Sequence, residues 1–367
     1  MARKLKIDRL LFLTTLVLVA VSIVMVYSAS NQMGPRESVR TIGFLTKQAV
    51  FAVAGLVAMF IAMRIDYERY RDPRLILGLV GFTLLALVAV LIVGPEINGT
   101  HRWFAVAGVG IQPSELAKLA IILFTAAVLE RRMDQIDKTG YALGPILVVL
   151  APMVGLIMLQ PDFGSSVALL AIVAVMVFAA GLWWRHIVYA ALAVVPFVAG
   201  VAVLAPYRVS RLTAFLDPWS DRQEHGYQVV QSLIAVGSGG LTGKGLGYSV
   251  QKLGYLPYAH SDFIYAVLAE ELGLAGASVL LVCFCVITWR GLKTASRAPD
   301  SFGALLALGL TAMIAVQAFV NMSVVLGLLP TKGITLPFIS AGGSSLIMSL
   351  VGMGVLLNIS QRASATT

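Results

Sequence analysis

Long apolar runs dominate the chain and recur at a regular length. Each approaches the 20 residues that a helix needs to cross about 30 Å of hydrocarbon. The first run, from Leu10 to Val26, is too long and too apolar for a cleavable signal peptide, and nine similar runs follow it. The pattern predicts about ten transmembrane helices, at 10–28, 46–63, 75–93, 112–130, 141–159, 165–181, 187–205, 264–289, 303–328 and 342–359.

Composition supports a membrane class. Of the 367 residues, 59% are hydrophobic and 12% are charged, whereas about a quarter of a soluble domain is charged. So much apolar material cannot be buried in the single core of a water-soluble protein. We therefore predict an all-α integral membrane protein, with residues 1–367 as a single polytopic domain.

The distribution of Lys and Arg predicts the orientation in the membrane. Sixteen of the 27 basic residues lie in short segments on the side of the predicted bundle that holds both termini. The other eleven lie mainly between spans 7 and 8 and before span 2. Basic short loops remain in the cytoplasm, so both termini are predicted to be cytoplasmic.

The long segment 206–262 is then extracytoplasmic. Loops of more than about 15 residues are usually functional or disordered. This one carries Trp219, several tyrosines, and an amphipathic apolar patch from Val229 to Val236 that a glycine-rich stretch follows. A structured lid or re-entrant element fits this composition better than a flexible tether.

Ionisable residues inside apolar spans are costly, so each is a candidate functional group. Glu115 and Lys118 lie three residues apart near the outer start of span 4, where they can pair on one helix face. One interpretation is a structural ion pair that locks the bundle. The other is a charged wall in a cavity that binds a polar headgroup.

Two outer connections have unusual backbone chemistry. The Gln160–Gly164 connection contains Pro, Asp and Gly, which a tight turn between helices favours for backbone reasons alone. The segment 330–345 contains two prolines and several glycines, which prevent a continuous helix. Non-helical backbone at membrane depth persists only beside protein or a wet cavity, so a cavity is expected on the outer face.

The group His260-Ser261-Asp262 stands directly before span 8. Asp262 there could simply cap the helix N-terminus, which favours a carboxylate. The alternative is a functional carboxylate at the mouth of the membrane, and Glu270 and Glu271 follow it in the same helix. The three carboxylates, together with the outer lysines Lys118, Lys252 and Lys332, indicate a site for an anionic, polyhydroxylic ligand.

Several other chemistries find no support in the sequence. The four histidines lack metal-ligand spacing, and the chain has neither a phosphate-binding glycine loop nor a nucleophile elbow. The residues alone therefore indicate an outer-facing membrane site for an anionic lipid-linked substrate. They leave enzyme and transporter as alternatives.

Five motifs extend along nearly the whole chain: Met25 to Ser30, Gln112 to Lys118, Gln160 to Gly164, His260 to Phe263, and Pro330 to Ser345. Together they resemble the SEDS family (shape, elongation, division and sporulation). Its division type, FtsW, is more similar than its elongation type, RodA, at Asp217-Pro218-Trp219 and across Gly245 to Leu253. The chain departs from the family pattern at Tyr258, where an acidic residue is common.

The resemblance implies a peptidoglycan glycosyltransferase that polymerises lipid II and releases undecaprenyl diphosphate. An elongation-type polymerase and a lipid II flippase remain the alternatives. The implied partner is a class B penicillin-binding protein transpeptidase, and no nucleic acid is expected. Asp262 is the expected general base. Lys252, Lys332 or Arg102 is expected to contact the diphosphate, and a divalent cation such as magnesium or manganese could also stabilise it. The expected substrate-binding residues are Glu115, Lys118, Arg102, Lys252, His260, Lys332, Asp162, Ser344 and Ser345.

Overall fold

The computed structural model describes residues 7–31, 35–97, 99–106, 109–133, 139–182, 215–220, 226–331 and 333–363. A 3-10 helix, Tyr67–Arg71, joins the second and third helices, and strands β1 (Phe104–Val106) and β2 (Val109–Ile111) pair antiparallel before the fourth. The helices of these ranges are α1 (Arg9–Ser30), α2 (Pro35–Arg64), α3 (Pro73–Val93), α4 (Pro113–Arg132), α5 (Thr139–Leu159), α6 (Phe163–Ala179), α7 (Tyr227–Gly239), α8 (Ile264–Ser296), α9 (Ser301–Val325) and α10 (Gly343–Ala363).

Nine of the ten predicted spans coincide with these helices, and the span at 187–205 lies outside the described residues. Within the described ranges, six helices are long and apolar enough to cross a membrane: α1, α2, α3, α8, α9 and α10. The prediction of an all-α integral membrane protein is confirmed. The β1–β2 pair was not predicted, because three-residue strands leave no signal in a search for 20-residue apolar runs.

Helix α4 occupies the centre of the bundle. It packs against α3, α5, α6 and α9, and most of its residues are buried, including Glu115 and Lys118. It is not one of the six strongly apolar helices. Its charges are tolerated because the surrounding helices separate them from lipid.

Four of the helices begin at an aspartate that caps them. In each case the side chain accepts a hydrogen bond from a backbone N–H of the first turn, which has no partner inside the helix. Pro73 follows one of these caps at the first helical position, where a missing N–H costs nothing. The capping residues are Asp8, Asp72, Asp162 and Asp300.

Helix α8 is interrupted at Gly273, which has φ 66° and ψ −167°. A break inside a membrane helix leaves backbone groups without intrahelical partners, and in lipid these groups must be satisfied by protein. Here residues 240–245, which follow α7, satisfy them. The four bonds run from Leu274 N to Gly240 O at 2.9 Å, Ala275 N to Leu241 O at 3.1 Å, Lys244 N to Glu270 O at 3.0 Å and Gly245 N to Glu271 O at 3.0 Å.

Candidate active site

A small cavity lies beside α4, where α6 and α9 meet the segment that precedes α10. Its wall is mostly polar, although it is formed largely by apolar helices. Glu115 and Lys118, which the sequence singled out, both contribute to it. The lining residues are Gln112, Glu115, Lys118, Gly164, Ser165, Ala168, Gln317, Gly333, Ile334 and Thr335.

The charged wall of the cavity is an ion pair with a third member. Lys118 Nζ lies 2.8 Å from Glu115 Oε1 and donates a second hydrogen bond, 2.6 Å long, to Gln317 Oε1. Glu115 is 5% exposed and Lys118 is 2% exposed. The pairing offsets part of the cost of burying two ionisable groups, because an isolated charge at this depth would be strongly disfavoured.

The turn between α5 and α6 forms another side of the site. Asp162 caps α6 through Ser165 N at 3.1 Å, and its other oxygen accepts a hydrogen bond of 3.0 Å from Gln112 Nε2. Arg102 donates to the carbonyl oxygens of Gln160 and Pro161 at 2.7 Å and 2.8 Å. The turn chemistry that the sequence suggested is therefore present, and the turn borders the cavity.

Asp262 lies where two segments meet, which we call the Asp262 segment (residues 254–263) and the Gly333 segment (residues 333–342). Its Oδ2 is 3.1 Å from the point that a Cβ on Gly333 would occupy, so the carboxylate lies against a residue that lines the cavity. Within the described part of the chain, no hydrogen bond to this carboxylate is found.

The helix-capping alternative for Asp262 does not hold. Helix α8 begins at Ile264, its N-cap residue is Phe263, and no side chain of that cap bonds to the first N–H groups. Burial, and after it the charge of Asp162, raises the pKa of Asp262 to about 6, while the charge of Arg102 opposes this shift. A half-buried carboxylate with no hydrogen-bond partner among the described residues and a pKa near neutrality is suited to accept a proton.

Three further predicted residues lie around the same two segments. The rings of His260 and Phe44 are 4.7 Å apart. Ser344 Oγ accepts a hydrogen bond of 3.3 Å from Gln112 N, and Ser345 Oγ is 3.1 Å from Thr335 Oγ1. The serines thus join the start of α10 to the edge of the cavity.

Lys252 has a different environment from the one that the sequence predicted. It is 2% exposed, and its ammonium lies 2.8 Å from Glu271 Oε1 and 3.1 Å from Ser28 Oγ. A fully buried carboxylate such as Glu271 needs a charged partner, and Lys252 supplies it. Lys252 is not among the residues that line the cavity. Lys332 lies outside the described residues.

Glu270 likewise belongs to a buried hydrogen-bond network. It accepts hydrogen bonds from Lys244 Nζ at 2.7 Å and Ser249 Oγ at 2.5 Å, and from two backbone N–H groups. Both glutamates of α8 therefore fasten the segment 244–252 rather than face the cavity.

Sequence reasoning missed two polar residues of α9, Gln317 and Asn321. Both are 2% exposed, and both contact the site. Their spacing of four places them on one helix face in an otherwise apolar span, and this spacing was the signal that could have revealed them.

A divalent cation would need several ligating side chains close together. No three His, Cys, Asp or Glu side chains in the described ranges come together in a way that could hold a metal ion. Asp262 and Asp162 influence each other electrostatically, but the oxygens of Asp162 are already bonded. The residues that the structure describes therefore do not fit a protein-ligated metal centre.

Solved structures of similar sequence share this fold. One, described as "Structural coordination of polymerization and crosslinking by a peptidoglycan synthase complex", contains a chain with a TM-score of 0.81 and 31% identity, covering 98% of this chain and 99% of that one. The crystal structure of the rod shape determining protein RodA of Thermus thermophilus matches with a TM-score of 0.71 and 32% identity, covering 97% of each chain.

Curated relatives match along almost their whole length. The probable peptidoglycan glycosyltransferase FtsW of Geobacter sp. (strain M18) is 42% identical over 355 residues, 97% of each chain. Stage V sporulation protein E of Bacillus subtilis (strain 168) is 42% identical over 354 residues, 96% of this chain and 97% of the relative. The family model of the FtsW/RodA/SpoVE cell cycle proteins matches residues 8–365, so the chain belongs to this family.

Proposed function

We propose that the chain is a peptidoglycan glycosyltransferase that polymerises lipid II into glycan strands and releases undecaprenyl diphosphate. The observation that carries this proposal is the carboxylate of Asp262, which lies against Gly333 at the edge of a charged cavity. The similarity to proteins named FtsW, along 97% of each chain, supports the same activity and the division type.

In the proposed reaction Asp262 is the general base. The 4-hydroxyl of the acceptor sugar transfers its proton to the carboxylate as its oxygen attacks the anomeric carbon of the donor. The bond from that carbon to the phosphate oxygen breaks, and the diphosphate leaves with the bonding electrons. A base with a pKa near 6 is largely ionised at neutral pH and still accepts a proton readily.

The charge of the leaving diphosphate requires cationic groups. We assign this contact to Arg102 and Lys332. Arg102 is close enough to lower the pKa of Asp262, and its guanidinium has N–H groups beyond the two that bond carbonyl oxygens. We remove Lys252 from this role, because its ammonium is buried in the pair with Glu271. Glu115 and Lys118 shape the cavity for the polar headgroup, and Asp162, His260, Ser344 and Ser345 support its rim.

Polymerisation of purified lipid II tests this function. Purified protein, alone and with a co-purified transpeptidase, is incubated with lipid II, and the products are separated by length. Glycan strands are the expected result. Movement of lipid II across vesicles without strand formation would instead support the flippase alternative.

The penicillin-binding protein partner is proposed from the resemblance and agrees with the similarity to a synthase complex that coordinates polymerisation and crosslinking.

The ion pair of Glu115 and Lys118 is expected to be more than a structural lock. If it only locks the bundle, exchanging the two charges should restore the activity that either single reversal loses. If it binds headgroup, the exchange leaves activity low, because the charges facing the ligand are inverted. The pair Arg71–Glu130, 2.8 Å apart at the other end of α4, is the matched control, and its exchange should restore activity. Full recovery in the Glu115/Lys118 exchange would contradict the proposed role.

We propose the bacterial inner membrane as the location, with both termini in the cytoplasm and 206–262 as an extracytoplasmic loop of a single domain. The excess of basic residues at one side supports this orientation. A fluorescent reporter after Asp134 is expected to be cytoplasmic, and a phosphatase reporter near Glu224 is expected to be active outside; both sites lie outside the described residues. The opposite labelling would invert the placement of the site.

A further inference from the structure

Asn321 is a buried polar residue on α9 that bonds backbone rather than side chains. Its Nδ2 donates to the carbonyl oxygen of Asp262 at 2.8 Å and to that of Ile334 at 2.7 Å. Both amide hydrogens are therefore used, while Oδ1 is buried and accepts no hydrogen bond within the described part of the chain. One side chain thus joins the Asp262 segment to the Gly333 segment.

The Asp262 segment is held by three consecutive carbonyl groups. The oxygen of His260 accepts from Ala341 N at 3.0 Å, that of Ser261 accepts from Ser340 Oγ at 2.7 Å, and that of Asp262 accepts from Asn321. The first two donors belong to the Gly333 segment itself. Asn321 is the donor that belongs to a membrane helix, so it ties both segments to the rigid bundle.

In this arrangement hydrogen bonds to the backbone hold Asp262 in place, and its side chain remains available for chemistry. A carboxylate that is oriented by its own hydrogen bonds has some of its lone pairs occupied, and such bonds lower its basicity. Here the backbone of Asp262 is fixed, while its side chain keeps its oxygens for a substrate proton. The contact of Oδ2 with Gly333 is then set by the position of the two backbones that Asn321 joins.

We infer that Asn321 is a positioning residue for glycan synthesis, which holds the backbone of Asp262 against the Gly333 segment so that the carboxylate faces the cavity. The inference rests on the proposed function, because it assigns Asp262 to the reaction. Displacing a reacting group by about 1 Å can lower a rate by 10²-fold, so loss of this tether should act on the chemical step.

Kinetic assays of two Asn321 variants with lipid II test the inference. Asn321→Ala removes both hydrogen bonds, and Asn321→Asp keeps the size but places an acceptor opposite two carbonyl oxygens. We expect kcat to fall by about 10-fold to 100-fold in both, with KM for lipid II changing by less than about twofold. The protein is assayed as the full chain with its co-purified transpeptidase.

Asn358→Ala is the matched control. Asn358 is 6% exposed on α10, donates to Met63 O at 2.9 Å and accepts from Tyr67 N at 3.0 Å, so its loss also removes two buried hydrogen bonds. A comparable loss of thermal stability without a fall in kcat is expected. An equal fall in kcat for the two alanine variants, or an unchanged kcat in Asn321→Ala, would overturn the inference.

Hydrogen exchange separates this inference from the proposed function. In Asn321→Ala, backbone amides of residues 258–263 and 333–341 should exchange faster than in the parent, while those of α10 should not. If Asp262 proved dispensable but this exchange pattern appeared, the tether would stand and the general-base assignment would fail. Unchanged exchange in both segments would overturn the tether itself.

Discussion

Asp262→Asn is expected to lower glycan synthesis by about 10²–10⁴-fold, the range typical of lost acid–base catalysis, while the protein stays folded. Asparagine has the same size but does not accept a proton at neutral pH. Because no hydrogen bond to the Asp262 carboxylate is found in the described residues, the change should also cost little stability. The measurement is the initial rate of strand formation from lipid II, with thermal unfolding of the same preparation.

Asp72→Asn is the control for this substitution. Asp72 caps α3 by accepting a hydrogen bond of 2.9 Å from Arg74 N, and asparagine caps about equally well, so activity should be unchanged.

The rate of the parent protein should also fall as pH drops through about 6, since protonated Asp262 is no longer a base. A folded, fully active Asp262→Asn protein would exclude this residue and direct attention to Asp162, whose turn borders the cavity, whereas Glu270 and Glu271 fasten the segment 244–252 away from it.

Gly273→Ala is expected to destabilise the protein by several kcal/mol. Its φ and ψ fall in a region that only glycine adopts without strain, which costs other residues on the order of 1–3 kcal/mol. An added Cβ would lie 2.3 Å from Gly243 N and 2.6 Å from Leu241 O, so residues 240–245 must move. Each of the four backbone hydrogen bonds lost there contributes about 0.5–1.5 kcal/mol. The effect is measured by thermal unfolding in detergent, monitored as the fraction of the protein that remains monodisperse.

Gly78→Ala in α3 provides the matched control. Apart from its two chain neighbours and the nearby backbone of α3, no atom of the described residues lies within 4 Å of a Cβ added at Gly78, and alanine favours a helix over glycine by about 1 kcal/mol. This variant should be as stable as the parent or slightly more stable. If Gly273→Ala proved as stable as Gly78→Ala, the role assigned to the break in α8 would be contradicted.

Part of the site was predictable from the sequence because charge is costly in an apolar span. Glu115, Lys118 and Asp262 were singled out on this ground, and the structure places all three at or beside one cavity. The same rule could not tell a cavity charge from a buried structural one. Lys252 was assigned to the diphosphate on its type and side of the membrane, although Glu271 holds it inside the fold.

Sequence patterns alone predict the class of fold, the approximate position of nine described helices and the polar residues available for a site. These follow from local properties, namely the length of apolar runs, the turn residues and the cost of charge in lipid. The partner of each polar group, by contrast, becomes evident only when the chain is folded. The pairing of Lys252 with Glu271 and the bond from Asn321 to Asp262 join residues far apart in the chain, and no local pattern encodes such contacts. For the same reason, only the packed structure shows that the backbone of Asp262 is bonded to Asn321, while no hydrogen bond to its carboxylate is found among the described residues.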